Sequence, residues 1–374
     1  MEIISHIDAQ FDAIIREFKI SGNILTIKPY GRGHINDTYL LTNSAAELPD
    51  YLLQRINHQV FGNVSGMMSN IHRVTEHLKS KFIKNDSSQI TLELIKTKDH
   101  QLFKRDTNGC YWRIFDFKKG MKSYDVVETP EQAYNGAYAF GSFLYFMADF
   151  DPVSLIETIP KFHSIIVRMQ QLKTAESHAS KERKDRSAII LKEIDKMSPL
   201  MCEIETLKNQ MKIPLRVTHN DTKFNNVLLE DQGRGLCVID LDTVMPGIVH
   251  YDFGDGIRTS TNLASEDEND LNRVKFDIEK FNAFVQGYLD GVNGILTPLE
   301  IEYLARSGAL LSFIMGVRFL TDYLNEDVYY KISYEGQNFN RGSCQIELAR
   351  QIIKREAELK HFIRKEAALK KRKY

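Results

Sequence analysis

The chain has 374 residues, of which 43% are hydrophobic and 26% charged, and its formal net charge is −1. This composition is typical of a globular protein long enough for two lobes, and the charge excludes a general attraction to nucleic acid. The four cysteines are scattered, with no CxxC pair, so we expect reduced thiols and no disulfide framework.

The N-terminal segment predicts a helix. Residues 6–19 place apolar side chains at helical spacing. The sequence before it lacks the basic start, apolar core and cleavage site of a signal peptide. No apolar run approaches the ~18 residues that a membrane span needs. We therefore expect a soluble, cytoplasmic protein without a membrane partner.

The next hundred residues are rich in short β-like runs. One amphipathic helix interrupts them, at residues 63–82. Asn108-Gly109 suits a tight hairpin turn between the last two runs. The predicted strands cover residues 23–30, 37–42, 51–57, 90–97, 101–105 and 110–117. Residues 1–117 are therefore expected to form a β-rich small lobe.

The composition changes after residue 117. Thr129 can cap a helix, with Pro130 in its first turn and Gln132 completing a capping box. Further helical stretches cover roughly residues 158–212, 267–290, 298–324 and 343–371. We predict an α+β fold: a small antiparallel-sheet lobe, then a larger helical lobe over residues 118–374. A nucleotide would lie in the cleft between the two lobes.

An acid-bearing stretch carries the chemistry. Its spacing, His219-x-Asp221-x4-Asn226 followed by Asp240, matches the catalytic loop and metal-binding aspartate of protein kinases. Asp221 would accept the proton of an attacking hydroxyl, and a hairpin would bring Asn226 beside Asp240 to hold Mg²⁺. Lys223 would reach the transferred phosphoryl group. ATP and Mg²⁺ are the cofactors that this pattern predicts.

Other readings of the acidic stretch are weaker. A salt-bridged core around Arg216 and Arg234 would not require this order and spacing. A zinc site would need more His or Cys partners than His219 and His250 provide. The sequence has no G-x-S-x-G elbow for a serine hydrolase and no P-loop motif.

The phosphate-binding side is less specific. The turn GRGHIND contains Gly31 and Gly33, whose backbones can approach phosphates. No V-A-I-K strand is present, so Gln54 or Arg55 on the third strand would have to meet the phosphates. The connector IFDFKKG is expected to pass the adenine, with Phe115 and Phe117 among its nucleotide-binding residues.

HNDTKFNNVL and VIDLDTVMPG resemble the aminoglycoside phosphotransferase and choline kinase-like superfamily, with its bilobal protein-kinase-like fold. Within it, the similarity is closest to the N-acetylhexosamine 1-kinase branch. The matching segments are YGRGHINDTYL, LLQRIN, YWRIFDF, LRVTHNDTKFNN, IDLDTVMPG, DFGDGIR and VRFLTDYL. The resemblance implies transfer of the ATP γ-phosphoryl group to the anomeric hydroxyl of GlcNAc or GalNAc, a step of amino sugar salvage.

The same resemblance suggests the sugar contacts. They are His34, Ile27, Asp255, Arg318 and Tyr329, with Ile27 as an apolar wall for the N-acetyl group.

Four of the sugar contacts also have a plain structural alternative: His34 can cap a turn, and Tyr329 can be a core or rim residue. Asp255 can pair with Arg258, and Arg318 with Asp322, at helical spacing. Thr259 stands where the related kinase has an aromatic residue, so the sugar preference can differ.

Two rival functions remain from the sequence. One is a kinase of the same superfamily for choline, homoserine or an aminoglycoside, and the other is a non-catalytic nucleotide-binding module. The intact Asp221, Asn226 and Asp240 argue against the second. We expect a monomer or weak homodimer that binds ATP and a small sugar.

Overall fold

The computed structural model describes residues 9–31, 35–230 and 235–371, and its small lobe is built on one antiparallel sheet. The strand order is β1-β2-β3-β6-β4, and β5 also pairs with β6. The strands are β1 (Ile24–Pro29), β2 (Asp37–Asn43), β3 (Tyr51–Ile56), β4 (Leu94–Ile95), β5 (Lys104–Arg105) and β6 (Tyr111–Asp116). The predicted sheet is confirmed, although the runs at 90–97 and 101–105 keep only two ladder residues each.

The two faces of this sheet have different neighbours. The short helix α1 (Ala9–Ile15) covers the outer face, where Ile27, Leu41 and Trp112 form a small core. The inner face packs on α2 (Val64–Lys84), whose apolar side chains join a second core that includes large-lobe residues. Because side chains alternate along a strand, each strand residue belongs to one of these two environments.

The large lobe is mostly helical. Its first helix begins with the predicted capping box, in which Thr129 and Gln132 satisfy each other's backbone N–H groups. The helices are α3 (Pro130–Phe146), α4 (Ile165–His178), α5 (Lys181–Asn209), α6 (Val249–Ser260), α7 (Ile278–Gly291), α8 (Pro298–Leu324), α9 (Gln337–Lys354) and α10 (Glu356–Lys371). The sequence analysis did not predict α6 as a helix.

Among the described residues, one helix, α8, is long and apolar enough to span a membrane. Within its most apolar window, however, 78% of the residues are buried inside the large lobe. It contacts α4, α5, α6, α9 and α10. Its apolar character is therefore explained by its place at the centre of the helical core.

Two short antiparallel pairings, of which only β8–β9 is a hairpin, carry the acid-bearing stretch. β7 (Arg216–Thr218) pairs with β10 (Met245–Gly247), and β8 (Val227–Leu229) pairs with β9 (Gly235–Val238). The loop from β7 to β8 and the turn from β9 to β10 emerge side by side below the inner face of the small-lobe sheet. This arrangement confirms the hairpin predicted between residues 226 and 240.

Candidate active site

The loop that follows β7 is held by buried hydrogen bonds. Asn220 has a left-handed backbone, with φ +64°, a conformation that asparagine tolerates. Its side-chain nitrogen Nδ2 donates to Thr218 Oγ1 at 2.9 Å and to the carbonyl oxygen of Thr243 at 3.0 Å. The Asp252 carboxylate, on α6, accepts the backbone N–H groups of His219 and Asn220 at 2.8 and 2.7 Å. The loop geometry is therefore fixed from below by a single carboxylate.

His219 supports the loop from within. Its ring is buried beside Phe140 and Phe143. Nε2–H donates to the carbonyl of Ile239 at 2.8 Å, and Nδ1 accepts from the backbone N–H of Asp221 at 3.3 Å. Both ring nitrogens are thus engaged, so His219 joins the loop to the end of β9 and is not available as a base.

Asp221, Lys223 and Asn226 form one polar cluster at the cleft. Lys223 Nζ lies 2.8 Å from Asp221 Oδ1, and Asn226 Nδ2 donates to Asp221 Oδ2 at 3.1 Å. Burial raises the pKa of Asp221, but the adjacent Lys223 ammonium more than offsets this, so the pKa lies below its usual range. Asp221 is therefore an ionised carboxylate that faces the cleft and can accept a proton.

Asp240 follows β9 and completes the cluster. The backbone N–H of Ile239 donates to the carbonyl of Asn226 at 2.9 Å, which places Asp240 next to Asn226. Asp240 has φ +58° and exposes its side chain at the base of the cleft. Partial desolvation, together with the negative charges of Asp242 and Asp221, raises the pKa of Asp240 above its usual range. A cation at this point would relieve the repulsion between these carboxylates.

The residues present fit a divalent metal ion. The side-chain nitrogen of Asn226 donates hydrogen bonds to Asp221. Within the described residues, no donor forms a hydrogen bond with Asn226 Oδ1. That oxygen and the Asp240 carboxylate are hard ligands of the kind Mg²⁺ prefers. In the described ranges, no cluster of three or more His, Cys, Asp or Glu side chains could hold a metal by itself.

A buried histidine, His163, lies just before α4 and contacts the loop after β7. His163 donates from Nε2 to the carbonyl of Asn220 at 2.8 Å, and it lies close enough to Asp221, Asp255 and Arg318 for their charges to affect its pKa. Burial is the main cause that lowers this pKa to about 4. The structure therefore brings together three side chains that the sequence places up to 97 positions apart.

The fold is shared with small-molecule kinases. The chain is similar to a spectinomycin phosphotransferase solved with ADP and spectinomycin (TM-score 0.60, 15% identity, covering 93% of this chain and 99% of that one). It is also similar to an amicoumacin kinase solved with AMP-PNP and Ca²⁺ (0.58, 12%, 92% and 94%). A choline kinase from Cryptosporidium parvum Iowa II has a TM-score of 0.52 at 17% identity, covering 88% and 90%.

The match to a family model decides the family. The model described as APH, phosphotransferase enzyme family, matches residues 26–288. The chain belongs to the APH phosphotransferase enzyme family. The predicted kinase-like fold is thereby confirmed, and the low identities leave the acceptor of this phosphotransferase open.

Two acceptor predictions of this APH-family chain can be compared with their structural alternatives. Asp255 does pair with Arg258, whose Nε and Nη2 both lie 2.8 Å from Asp255 Oδ1. The Arg318–Asp322 pair does not form. Asp322 instead accepts the backbone N–H groups of Tyr329 and the following residue. Arg318 lies over aromatic rings and has no carboxylate partner in the part of the chain that the structure describes.

The remaining predicted sugar contacts are placed differently. Tyr329 is exposed at the rim, with its backbone held by Asp322. Ile27 packs in the outer-face core of the sheet with Leu41. The structure therefore does not bring Ile27 to the site, because strand alternation points it away from the cleft. His34 lies outside the described residues.

The predicted nucleotide residues separate by sheet face. Gln54 is on the inner face, where it binds Thr38 and Arg113, whereas Arg55 is exposed and paired with Asp37. The sheet thus directs Gln54, and not Arg55, towards the cleft.

The glycine turn and the connector complete this side. Gly31 has φ +77° and open space around it, and Gly33 lies outside the described residues. Phe115 is buried in the inner core, and the Phe117 ring is 5.5 Å from that of Tyr30, beside the glycine turn.

Sequence reasoning missed Arg113 and Asp242. Arg113, on β6, is 1% exposed and forms a two-pronged ion pair with Asp242, in the turn after Asp240. The alternation of the run YWRIFD offered a signal, since an arginine among apolar strand residues needs a buried partner. Nothing local to the sequence named that partner, which is 129 residues away.

A separate cavity of about 400 Å³ lies near the catalytic loop. It is lined by residues at the start of α4 and the end of α5, with Asn220, His163 and Tyr251. Asp221, Asn226 and Asp240 are not among its lining residues, so we assign the chemistry to the open cleft between the lobes.

Proposed function

We propose that this phosphotransferase transfers the γ-phosphoryl group of ATP to the anomeric hydroxyl of N-acetylhexosamines, GlcNAc or GalNAc. The observation that carries the proposal is the cluster of Asp221, Asn226 and Asp240 at the base of the cleft. The segments that resemble the N-acetylhexosamine 1-kinase branch extend this to the sugar. The coarser conclusion, a small-molecule phosphotransferase, follows from the family itself.

The reaction needs little covalent chemistry from the protein. Asp221 accepts the proton of the acceptor hydroxyl as that oxygen bonds to the γ-phosphorus and the bond to the β-phosphate bridging oxygen breaks. Asn226 and Asp240 would hold Mg²⁺, which neutralises phosphate charge. Lys223, already 2.8 Å from Asp221, keeps that carboxylate ionised and supplies positive charge beside the transferred group.

The charges on the acceptor side favour a neutral acceptor over a cationic one. The guanidinium carbon of Arg318 lies 5.2 and 5.6 Å from the ring centroids of Phe162 and Tyr330. Arg318 has no carboxylate partner among the described residues. Asp255 is already neutralised by Arg258. A choline or aminoglycoside cation would therefore meet an unpaired positive charge, whereas sugar hydroxyls would accept hydrogen bonds from the guanidinium.

The unpaired guanidinium of Arg318 makes homoserine the second candidate acceptor. Homoserine carries a carboxylate, which Arg318 would bind as a two-pronged partner. Its ammonium group would need Asp255, whose charge Arg258 already neutralises. We therefore rank the neutral sugar first.

An acceptor panel tests the proposal. GlcNAc, GalNAc, homoserine, choline and an aminoglycoside would be incubated with ATP and Mg²⁺, and the phosphorylated atom located by phosphorus–proton NMR. We expect phosphate on C1 of the N-acetylhexosamines. Phosphate on C6, or turnover of homoserine without sugar turnover, would reject the proposed acceptor.

Two variants assign roles. Asp221→Ala is expected to lower kcat by roughly 10²–10⁴-fold while ATP binding persists. Arg318→Gln is expected to raise the sugar KM by roughly 10-fold, the effect of one lost charged hydrogen bond, without changing the KM for ATP. Arg186→Gln is the matched control, because that guanidinium also lies over two rings, of Tyr323 and Phe339.

A further inference from the structure

A buried ion pair joins the two lobes directly beneath the small-lobe sheet. Arg113 on β6 is 1% exposed, and Asp242 in the large lobe is 2% exposed. Arg113 Nη2 donates to Asp242 Oδ2 at 3.0 Å, and Nη1 donates to Oδ1 at 2.5 Å. Two parallel N–H···O bonds of this kind fix the direction of both side chains as well as their separation.

Further polar groups of the small lobe complete the clamp. Asn36 donates from Nδ2 to Asp242 Oδ2 at 2.7 Å, while its own Oδ1 accepts the backbone N–H of Asn57 at 3.0 Å. Gln54 Oε1 accepts from Arg113 Nε at 2.9 Å. Both Asp242 oxygens are thus bound by small-lobe donors, and the remaining Arg113 nitrogen is bound by a neighbouring strand.

Asp242 stands two residues after Asp240, on the segment that carries the proposed metal ligand. That segment is held from other sides as well. Thr243 Oγ1 donates to the carbonyl of His219 at 2.7 Å, and Asn70 of α2 donates to the carbonyl of Val244 at 3.0 Å. Asp240 itself has a left-handed backbone, so the direction of its carboxylate depends on how its neighbours are held.

The energetics indicate a geometric role for the pair. Removing two charges from water is costly, and well-packed apolar residues often stabilise a protein as much as a buried ion pair does. What apolar residues cannot supply is a defined direction. The pair links the inner face of the sheet, where Gln54 points into the cleft, to the turn that bears Asp240.

We propose that Arg113 and Asp242 are positioning residues, which set Asp240 at the angle needed to bind the metal–nucleotide complex under the small lobe. This inference rests on the proposed kinase function but not on the identity of the acceptor. The polar atoms of Arg113 and Asp242 are already bound to each other, to Asn36 and to Gln54, so we assign them no direct contact with substrate or metal. Their loss is therefore expected to weaken binding of Mg²⁺–ATP, with the acceptor KM unchanged.

The test measures nucleotide binding by the full chain. Mant-ATP fluorescence titrations would compare wild type with Arg113→Lys, which keeps the charge but loses the fork. We expect the Kd for Mg²⁺–mant-ATP to rise roughly 10- to 100-fold, the usual effect of losing a residue that orients a metal ligand. In EDTA, where Asp240 holds no metal, the two proteins should bind mant-ATP alike.

Arg306→Lys is the matched control. Arg306 also contacts two carboxylates, Glu203 and Glu356, but lies within the large lobe. The Arg306→Lys variant should have a lower melting temperature than wild type and an unchanged Kd for Mg²⁺–mant-ATP. If Arg113→Lys fails to fold, Asn36→Ala replaces it, because Asn36 is half-buried and gives Asp242 only one of its bonds; here too the Mg²⁺–mant-ATP Kd should rise.

Three results would overturn the inference while the kinase proposal stands. The first is an unchanged Kd for Mg²⁺–mant-ATP in whichever of Arg113→Lys and Asn36→Ala folds. The second is a mant-ATP Kd that rises by the same factor with and without Mg²⁺. The third is an acceptor KM that rises together with the Kd. Wild type that binds no Mg²⁺–mant-ATP would instead remove the kinase proposal and this inference with it. Binding without turnover of N-acetylhexosamines would reject only the acceptor.

Discussion

Asp252→Asn should separate the stability of this protein from its activity. The Asp252 carboxylate, 4% exposed, accepts the backbone N–H groups of His219 and Asn220, one on each oxygen. An asparagine has the same shape but only one acceptor oxygen. One N–H group of the catalytic loop would therefore lose its bond and face an amide NH₂ group instead.

Two opposing effects determine the stability of Asp252→Asn. Burial raises the pKa of Asp252 to about 6, against an ordinary value of about 3.9, so its charge costs the folded state ~3 kcal/mol at neutral pH. The lost hydrogen bond costs ~1.5–3 kcal/mol. The two effects nearly cancel, so we expect the free energy of unfolding at pH 7 to change by less than ~2 kcal/mol. The displaced loop should lower kcat roughly 10- to 100-fold.

The pH dependence gives a second measure of the same group. Because the folded pKa is raised, the folded carboxylate binds its proton more tightly than the unfolded one, and this group destabilises the fold as pH rises from about 4 to about 6. Asp252→Asn lacks this dependence. Between pH 7 and pH 5, the stability of wild type relative to the variant should therefore increase by ~1.3 kcal/mol.

Urea unfolding followed by circular dichroism, with kcat measured on the same samples, would test both expectations. Asp322→Asn is the matched control, since that buried carboxylate also accepts two backbone N–H groups, of Tyr329 and Tyr330. It should raise the acceptor KM more than it lowers kcat. Wild-type kcat in Asp252→Asn, or a stability difference that does not vary with pH, would refute the reasoning.

Three further outcomes are expected. EDTA should abolish phosphoryl transfer and excess Mg²⁺ restore it; full activity in chelator would contradict the metal roles. Burial lowers the pKa of His250 to about 4, so wild type should lose ~2 kcal/mol of stability relative to His250→Gln as pH falls from 7 to 5, which urea unfolding at the two pH values would measure. Gly287→Ala would place a Cβ 2.1 Å from a carbonyl oxygen of α3 and should lower the free energy of unfolding by roughly 3 kcal/mol, whereas Gly62→Ala, with open space around it, should be near neutral.

Most of the architecture could be predicted because its signals are local. Alternation marks β1, β2, β3 and β6, and the capping box at Thr129 marks the start of α3. The edge runs at 90–97 and 101–105 were overestimated, because few of their residues find a ladder partner on β6. Helix α6 was missed because its glycines and aspartates lower helix propensity. Its buried packing against α8 overrides that preference.

The polar cluster of Asp221, Asn226 and Asp240 was also predictable, since a short hairpin joins Asn226 to Asp240. The surroundings of the predicted sugar contacts were not, because the partners of Asp255, Arg318 and Tyr329 are set by the packing of α6, α8 and the loop after it. Here local spacing suggested two ion pairs, of which the structure forms only Asp255–Arg258. Asp322 accepts hydrogen bonds from backbone N–H groups instead of pairing with Arg318. The spacing of two charges along a helix does not show that backbone donors compete for the carboxylate.

The small lobe shows why one residue's position in a strand can change a functional assignment. Gln54 and Arg55 are neighbours, so a single step of register decides which of them faces the cleft. The register of β3 with β6 pairs Gln54 with Arg113, and the cation on the inner face therefore comes from the adjacent strand. Arg113 is held there by Asp242, whose position beside Asp240 was already fixed by the catalytic motif. A phosphotransferase without a β3 lysine can thus still connect its sheet to the turn after Asp240 through a charge supplied by β6.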